Sequence, residues 1–248
     1  MRRFPAIGRC GIISAGFYNG SQNIMPPDFS RPVLAVDTGT SFLSLALRVN
    51  GETLLYHEDV GSGQSGLILP QIAALFAQAG ISAADLGALV YAQGPGSFTG
   101  LRIGAGVVQG LAVPFDTPLI AVPSLDAVAC QVSGGGVLAA VDARMGEVFY
   151  VWFDTLNRRR LSPYCVGRAA EIVPPEGVVF SGGAGNAFAL ADKPPFDGLP
   201  QMPTAAGLLD LAFGGAYPAC DAAHAGLLYV RDKIALTAAE QAARKGLS

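Results

Sequence analysis

Histidine is scarce in this sequence: His57 and His224 are the only two in 248 residues. A histidine-based metal site or catalytic triad would need this distant pair to meet in space beside carboxylates, so two ordinary histidines are expected. The four cysteines, Cys10, Cys130, Cys165 and Cys220, form no C-x-x-C pair. That excludes the common zinc and dithiol motifs, implies no disulfide framework, and fits a reduced cytoplasm. Charge is also sparse, with Asp, Glu, Lys and Arg making up 14% of residues and a net charge of −3. A protein that grips nucleic acid by itself relies on Lys and Arg meeting phosphates, and this balance argues against one. The single basic cluster, Arg158-Arg159-Arg160, is expected to be a solvated hairpin tip. No apolar run reaches about 18 residues, so no membrane span is expected. Residues 1–30 show no clear periodicity. Arg9 interrupts their weakly apolar stretch and no clean small-residue cleavage site follows, which excludes a signal peptide. They are expected to be a disordered extension, or a start placed too early, with Met25 as the true first residue.

Glycine, by contrast, is abundant (32 residues), and its densest use falls in one stretch, Gly94-Pro-Gly-Ser-Phe-Thr-Gly-Leu-Arg-Ile-Gly104, running on to Gly110. It follows Ala88–Ala92, an apolar run that reads as a buried strand. Gly94-Pro95-Gly96 breaks the strand, and Ser97 or Thr99 can cap a helix by accepting its orphan N–H bonds. From Leu101 to Ala112 nearly everything is apolar or Gly, with Arg102 and Gln109 the exceptions. Such a helix is buried or lies in an interface. Each interior glycine costs about 1 kcal/mol relative to Ala, so Gly100, Gly104, Gly106 and Gly110 need a reason. Gly96, Gly100 and Gly104 are four apart, as are Gly106 and Gly110, and that spacing places small residues on one helix face. The face serves tight packing within a domain, docking of a second protein, or anion binding at the helix N-terminus. No Lys-Ser/Thr pair follows, so the loop is not a P-loop.

The rest reads as α/β. Val33–Val36 is a buried strand, Asp37–Ser41 a tight turn, Phe42–Val49 a second strand, Asn50-Gly51 a hairpin turn, and Thr53–His57 a third strand. Leu67–Ala79 has helical spacing, with Pro70 near its start. The opening pattern recurs: Val137-Leu-Ala-Ala-Val-Asp142 echoes Val33-Leu-Ala-Val-Asp37, again followed by a polar turn and an apolar strand, Val148–Phe153. Duplication follows, with the linker near Ser133–Gly136. A later strand, Val178–Phe180, runs into the Gly-rich turn Ser181–Asn186, and Ala205–Phe213 is a closing helix. The expected domains are a first lobe over 31–135, a second over 136–233 and a tail over 234–248.

This arrangement resembles the actin-like ATPase superfamily, a duplicated RNase H-like α/β fold of two lobes. The resemblance maps phosphate-type turns onto Asp37–Ser41 and Asp142–Glu147 and an adenosine-type turn onto Ser181–Asn186. At Gly94–Gly104, with Asp142–Val148 downstream, Ile68-Leu69-Pro70 and Tyr229-Val230-Arg231, the chain is similar to the TsaB (YeaZ) family over about Arg31 to Lys233. That resemblance implies a cytoplasmic protein, itself without a catalytic centre, that helps make N6-threonylcarbamoyladenosine in tRNA beside the anticodon. It implies pairing with the catalytic paralogue TsaD, association of the ATPase TsaE, and a homodimer when alone. It implies tRNA contact only through the complex, and no membrane. The chain would need no cofactor of its own, ATP and metal being used by the partner subunits. The catalytic relative holds its metal with two histidines on the first interface helix; here Gly63–Pro70 has none. The interface is expected on Leu67–Ala79 and Ser97–Ala112, through Leu67, Ile68, Ile72, Gly100, Arg102, Gly104 and Val108, with Gly100→Leu or Gly104→Leu blocking it. Asp37, Gly39, Thr40, Asp142, Gly182 and Gly183 are expected to be a relic nucleotide site.

Two rivals stand beside this. Ala35-Val-Asp37-Thr-Gly-Thr40 fits the aspartic protease pattern, in which two carboxylates share a proton. Only one such motif occurs, and those proteases are nearly all β. The other rival is an active small-molecule kinase of the actin-like fold.

Overall fold

The computed structural model of the protein describes residues 25–230. The expected 234–248 tail, Arg231 and most of the expected N-terminal extension lie outside the described residues. The first half of the chain runs β1 (Val33–Asp37), β2 (Phe42–Val49), β3 (Glu52–Asp59), α1 (Gln64–Ala79), β4 (Ala88–Gly94), α2 (Phe98–Ala112), β5 (Leu119–Pro123) and α3 (Ser124–Ala129). The second half runs β6 (Val137–Asp142), β7 (Val148–Asp154), β8 (Arg159–Arg160), β9 (Cys165–Gly167), β10 (Gly182–Ala184), α4 (Ala205–Phe213) and β11 (Ala219–Cys220).

Two sheets result. The first has the order β11-β5-β4-β1-β2-β3, and the second β10-β6-β7-β8 with β9 also on β7. The central strands β1 and β6 each end in aspartate, Asp37 and Asp142. β1 has an antiparallel hairpin partner, β2, on one side and the parallel β4 on the other; β6 has β7 and β10 in the same roles. Asn50 and Gly51 both take positive φ (52° and 84°), as a right-twisted two-residue hairpin requires. The duplicated strand unit is that of the two-lobed actin-like, RNase H-like α/β fold.

Alternation along β1 explains how the first sheet is covered twice. Leu34 and Val36 join Ile68, Ile72, Leu75 and Val108 of α1 and α2 in one core. Val33 and Ala35 face the opposite way and pack with Leu208 and Leu209 of α4. A strand buried on both faces reads as a continuous apolar run rather than an alternating one. Burying these side chains contributes about 1.5–3 kcal/mol each.

Of four sequence expectations, three change and one holds. First, α4 and β11 return to the first sheet, so the second lobe does not run unbroken over 136–233. Second, Val178–Phe180 is not a strand: Val178 N–H donates to Pro175 O in a turn, and Gly182–Ala184 pairs with β6 instead. Third, the arginine run is the solvated hairpin tip expected, exposed at the β7–β8 turn, with a partner for each side chain. Arg158 lies against Gly214, Arg159 pairs with Asp154 at 3.2 Å, and Arg160 stacks over Tyr164. Fourth, Cys165 is disulfide-bonded, while Cys130 and Cys220 are free. Of the expected extension, Met25–Ser30 is described, and Asp28 N–H donates to Gly87 O at 3.1 Å. That contact ties this part of the chain to the first lobe.

One stretch, Phe98–Phe115, is long and apolar enough to cross a membrane by composition. In the fold it is a wall of the first lobe, with Leu101, Ala105, Val108 and Ala112 buried.

Candidate docking face beside a closed turn

The glycine-rich motif explains the turn after β1. Gly39 N–H donates to Asp37 Oδ1 (2.8 Å), and Gly39 O accepts from Ser97 N–H (2.7 Å). Thr38 Oγ1 donates to Gly100 O (2.7 Å), and Gln64 Nε2 donates to Thr40 O (2.7 Å). The start of α2 sits directly on this turn. A Cβ on Gly100 would lie 2.0 Å from Thr38 O, one on Gly104 2.5 Å from Thr38 Oγ1, and one on Gly96 2.6 Å from Gly39 O. A phosphate-binding turn must offer free backbone N–H groups. Here both polar groups of Gly39 are engaged by the chain's own residues.

Asp37 is buried beneath this motif, and burial raises its carboxyl above the usual carboxylate range, with the Gly39 N–H opposing. A raised carboxyl favours the folded state at low pH. That advantage is lost as pH rises from the ordinary value, about 3.9, through the raised one. Asp37→Asn keeps an acceptor for Gly39 and removes the buried charge. The variant is expected to melt about 2–4 °C higher at neutral pH, equal to ~1 kcal/mol, with the gain vanishing toward pH 4. Thermal scans across pH check this.

The second half of the expected nucleotide site is likewise bonded to its own chain. Asp142 Oδ1 accepts from Arg144 N–H (2.8 Å), and Asp142 N–H donates to Asn186 Oδ1 (2.9 Å). Gly182 and Gly183 are small because Val132 and Phe188 pack there: added Cβ atoms would lie 2.6 and 2.4 Å from them. Asp142 and the 182–186 turn therefore meet. No hydrogen bond or ion pair among the described residues joins Asp37 to Asp142. Among the described residues no group of three or more His, Cys, Asp or Glu is placed to hold a metal.

The expected interface residues divide. Ile68, Ile72 and Val108 are core side chains, and Gly100 and Gly104 seat the turn. These five do not face outward, because their helix positions point at the sheet. Leu67 and Arg102 do lie on the surface. The residues missed are their neighbours. Gly106 and Gly110 have nothing within 4 Å of an added Cβ. On α1, on α2 and just after α2, Leu69, Phe98, Val113 and Phe115 are exposed apolar side chains, Val113 at 65%. Phe98, Arg102, Gly106 and Gly110 recur every four residues and so form one stripe along α2. At its N-terminal end Arg102 is held over the Phe98 ring, 3.8 Å from its centroid, with Nε 3.4 Å from Tyr229 Oη. The stripe carries one positioned guanidinium and two glycines with open space beside them.

The family described as "TsaD: tRNA N6-adenosine threonylcarbamoyltransferase" matches residues 62–233. The tRNA threonylcarbamoyladenosine biosynthesis protein TsaB of Escherichia coli is 40% identical over 126 residues, covering 49% of this chain and 54% of that protein. Two solved structures from Pseudomonas aeruginosa are similar over nearly their whole length. YeaZ has a TM-score of 0.71 and 29% identity, covering 80% of this chain and 99% of that one. A second, described as uncharacterized with similarity to peptidase YEAZ, has a TM-score of 0.72 and 29% identity, covering 81% and 100%. Fold, motif and family match together define a TsaD-type protein of the actin-like fold. Within that class the chain belongs to the TsaB (YeaZ) family. It spans about half the length of the curated TsaB relatives it matches.

Proposed function

We propose that this protein is a non-catalytic partner subunit in the synthesis of N6-threonylcarbamoyladenosine on tRNA, acting in the cytoplasm. The observation that carries this is the exposed side of two neighbouring helices, α1 and α2, on which Gly106 and Gly110 lie open and Leu67, Leu69 and Phe98 are exposed apolar side chains. Exposed apolar side chains gathered on neighbouring helices mark a protein interaction site, and small residues let a partner helix approach closely. The partner is the TsaD-type catalytic paralogue, with a second copy of this chain taking its place in a homodimer when the paralogue is absent. TsaE joins that pair, and tRNA is met by the complex. ATP and metal belong to the other subunits, in keeping with a turn whose Gly39 N–H and carbonyl are already bonded.

A peptidase reading, which the description of one Pseudomonas relative invites, finds little support in Asp37: its carboxylate lies under the glycine motif and bonds its own turn. A kinase reading meets the same obstacle. The test is size-exclusion chromatography with light scattering on this chain mixed with its cognate TsaD-type protein. A one-to-one complex replacing the homodimer is expected. Two species that elute independently would remove the proposal.

A further inference from the structure

The short helix α3 is buried along its whole length and serves both lobes at once. Leu125, Val128 and Ala129 enter the second core, while Ala127 enters the first. Between them, Asp126 is a buried carboxylate flanked by two tyrosines from opposite sides. Tyr164, from the segment between β8 and β9 of the second lobe, donates to Oδ1 at 2.7 Å. Tyr217, from the segment leading into β11 of the first lobe, donates to Oδ2 at 3.0 Å. Arg160 stacks over the Tyr164 ring, 4.9 Å from its centroid, and brings a positive charge near the carboxylate. The same helix walls a cleft of about 310 Å³. Thr155 and Arg158 of the second lobe and Pro203 and Gly207 of the first line it. Space for the lobes to move against each other therefore adjoins the contact that joins them.

We infer that Asp126, Tyr164 and Tyr217 form a latch that fixes the two lobes at one angle, so that the protein presents its docking face as part of a rigid body. Each oxygen of one carboxylate is claimed by a different lobe. A change of lobe angle would break at least one bond and leave a buried polar group unpaired, a costly state. Asp126 and Tyr164 are buried, and that burial raises the Asp126 carboxyl and both tyrosine hydroxyls above their ordinary values.

The test is a distance measurement between lobes. Spin labels are placed through non-cysteine chemistry at exposed Leu55 on β3 and exposed Leu156 in the β7–β8 turn, and pulsed electron resonance is recorded on the full chain. The parent protein should give one narrow distance peak. Tyr164→Phe combined with Tyr217→Phe removes both donors and keeps both rings. It should lose the single peak while far-ultraviolet circular dichroism is unchanged. If that double variant does not fold, Tyr217→Phe alone is read by the same criterion. A peak as narrow in the variant as in the parent, or a parent that is already broad, overturns the latch.

Discussion

Gly100→Ala is expected to lower the melting temperature by about 6–12 °C, and Gly106→Ala, on the same helix, to raise it by about 2–4 °C. The two substitutions add the same methyl group and bring the same intrinsic gain in helix propensity, ~1 kcal/mol. Their surroundings differ. At Gly100 the new carbon would sit 2.0 Å from Thr38 O, a backbone atom that cannot swing aside. α2 must then lift from the turn, which breaks the Thr38 Oγ1–Gly100 O bond. Against a fixed backbone atom, overpacking reaches the upper end of its range of about 1–3 kcal/mol and the lost bond adds about 1, so a net loss near 3 kcal/mol remains after the propensity gain. At Gly106 nothing lies within 4 Å, and only the gain is left. Differential scanning fluorimetry on the two variants decides this. A stable Gly100→Ala protein would mean that the motif does not seat the turn.

The second large effect is on association rather than folding. Gly106→Leu and Gly110→Leu are expected to leave melting within about 2–4 °C of the parent, a change under ~1 kcal/mol. They should weaken pairing with the TsaD-type paralogue by at least about 100-fold, or ~2.7 kcal/mol. A side chain at either position holds a partner helix off α2, and the exposed Leu67, Leu69 and Phe98 lose their contact. Central positions of an interface tolerate such insertion least. Isothermal titration with each variant measures it. Gly100→Leu is not a usable probe of the same face, because it fails in folding first. Unchanged affinity of Gly106→Leu would move the docking surface elsewhere.

That distinction between glycines marks the limit of what the chain disclosed before its fold was known. Four-residue spacing correctly grouped Gly100 with Gly104 and Gly106 with Gly110, since helical periodicity is a local property. Which group faces inward depends on where the β1–β2 turn lies, and that turn is some sixty residues earlier in the chain. The strands were legible because β1 and β6 are buried on both faces and read as unbroken apolar runs. The return of α4 and β11 to the first lobe was not, for no local pattern records which sheet a helix will cover. Asp37, Gly39 and Thr40 were legible as a special turn. That the turn is occupied by Ser97, Gly100 and Gln64 is tertiary information. Asp126 drew no notice at all: a carboxylate inside an apolar helix has no motif, and its two tyrosine donors come from distant segments.

The most direct measurement is reconstitution. Unmodified tRNA, threonylcarbamoyl-adenylate and the cognate TsaD- and TsaE-type proteins are combined with and without this chain, and threonylcarbamoyladenosine is quantified by mass spectrometry of the digested tRNA. Product that requires this chain, is absent with the chain alone, and is lost with Gly106→Leu is the expected result. Equal product without the chain, or full product with Gly106→Leu, would contradict the account.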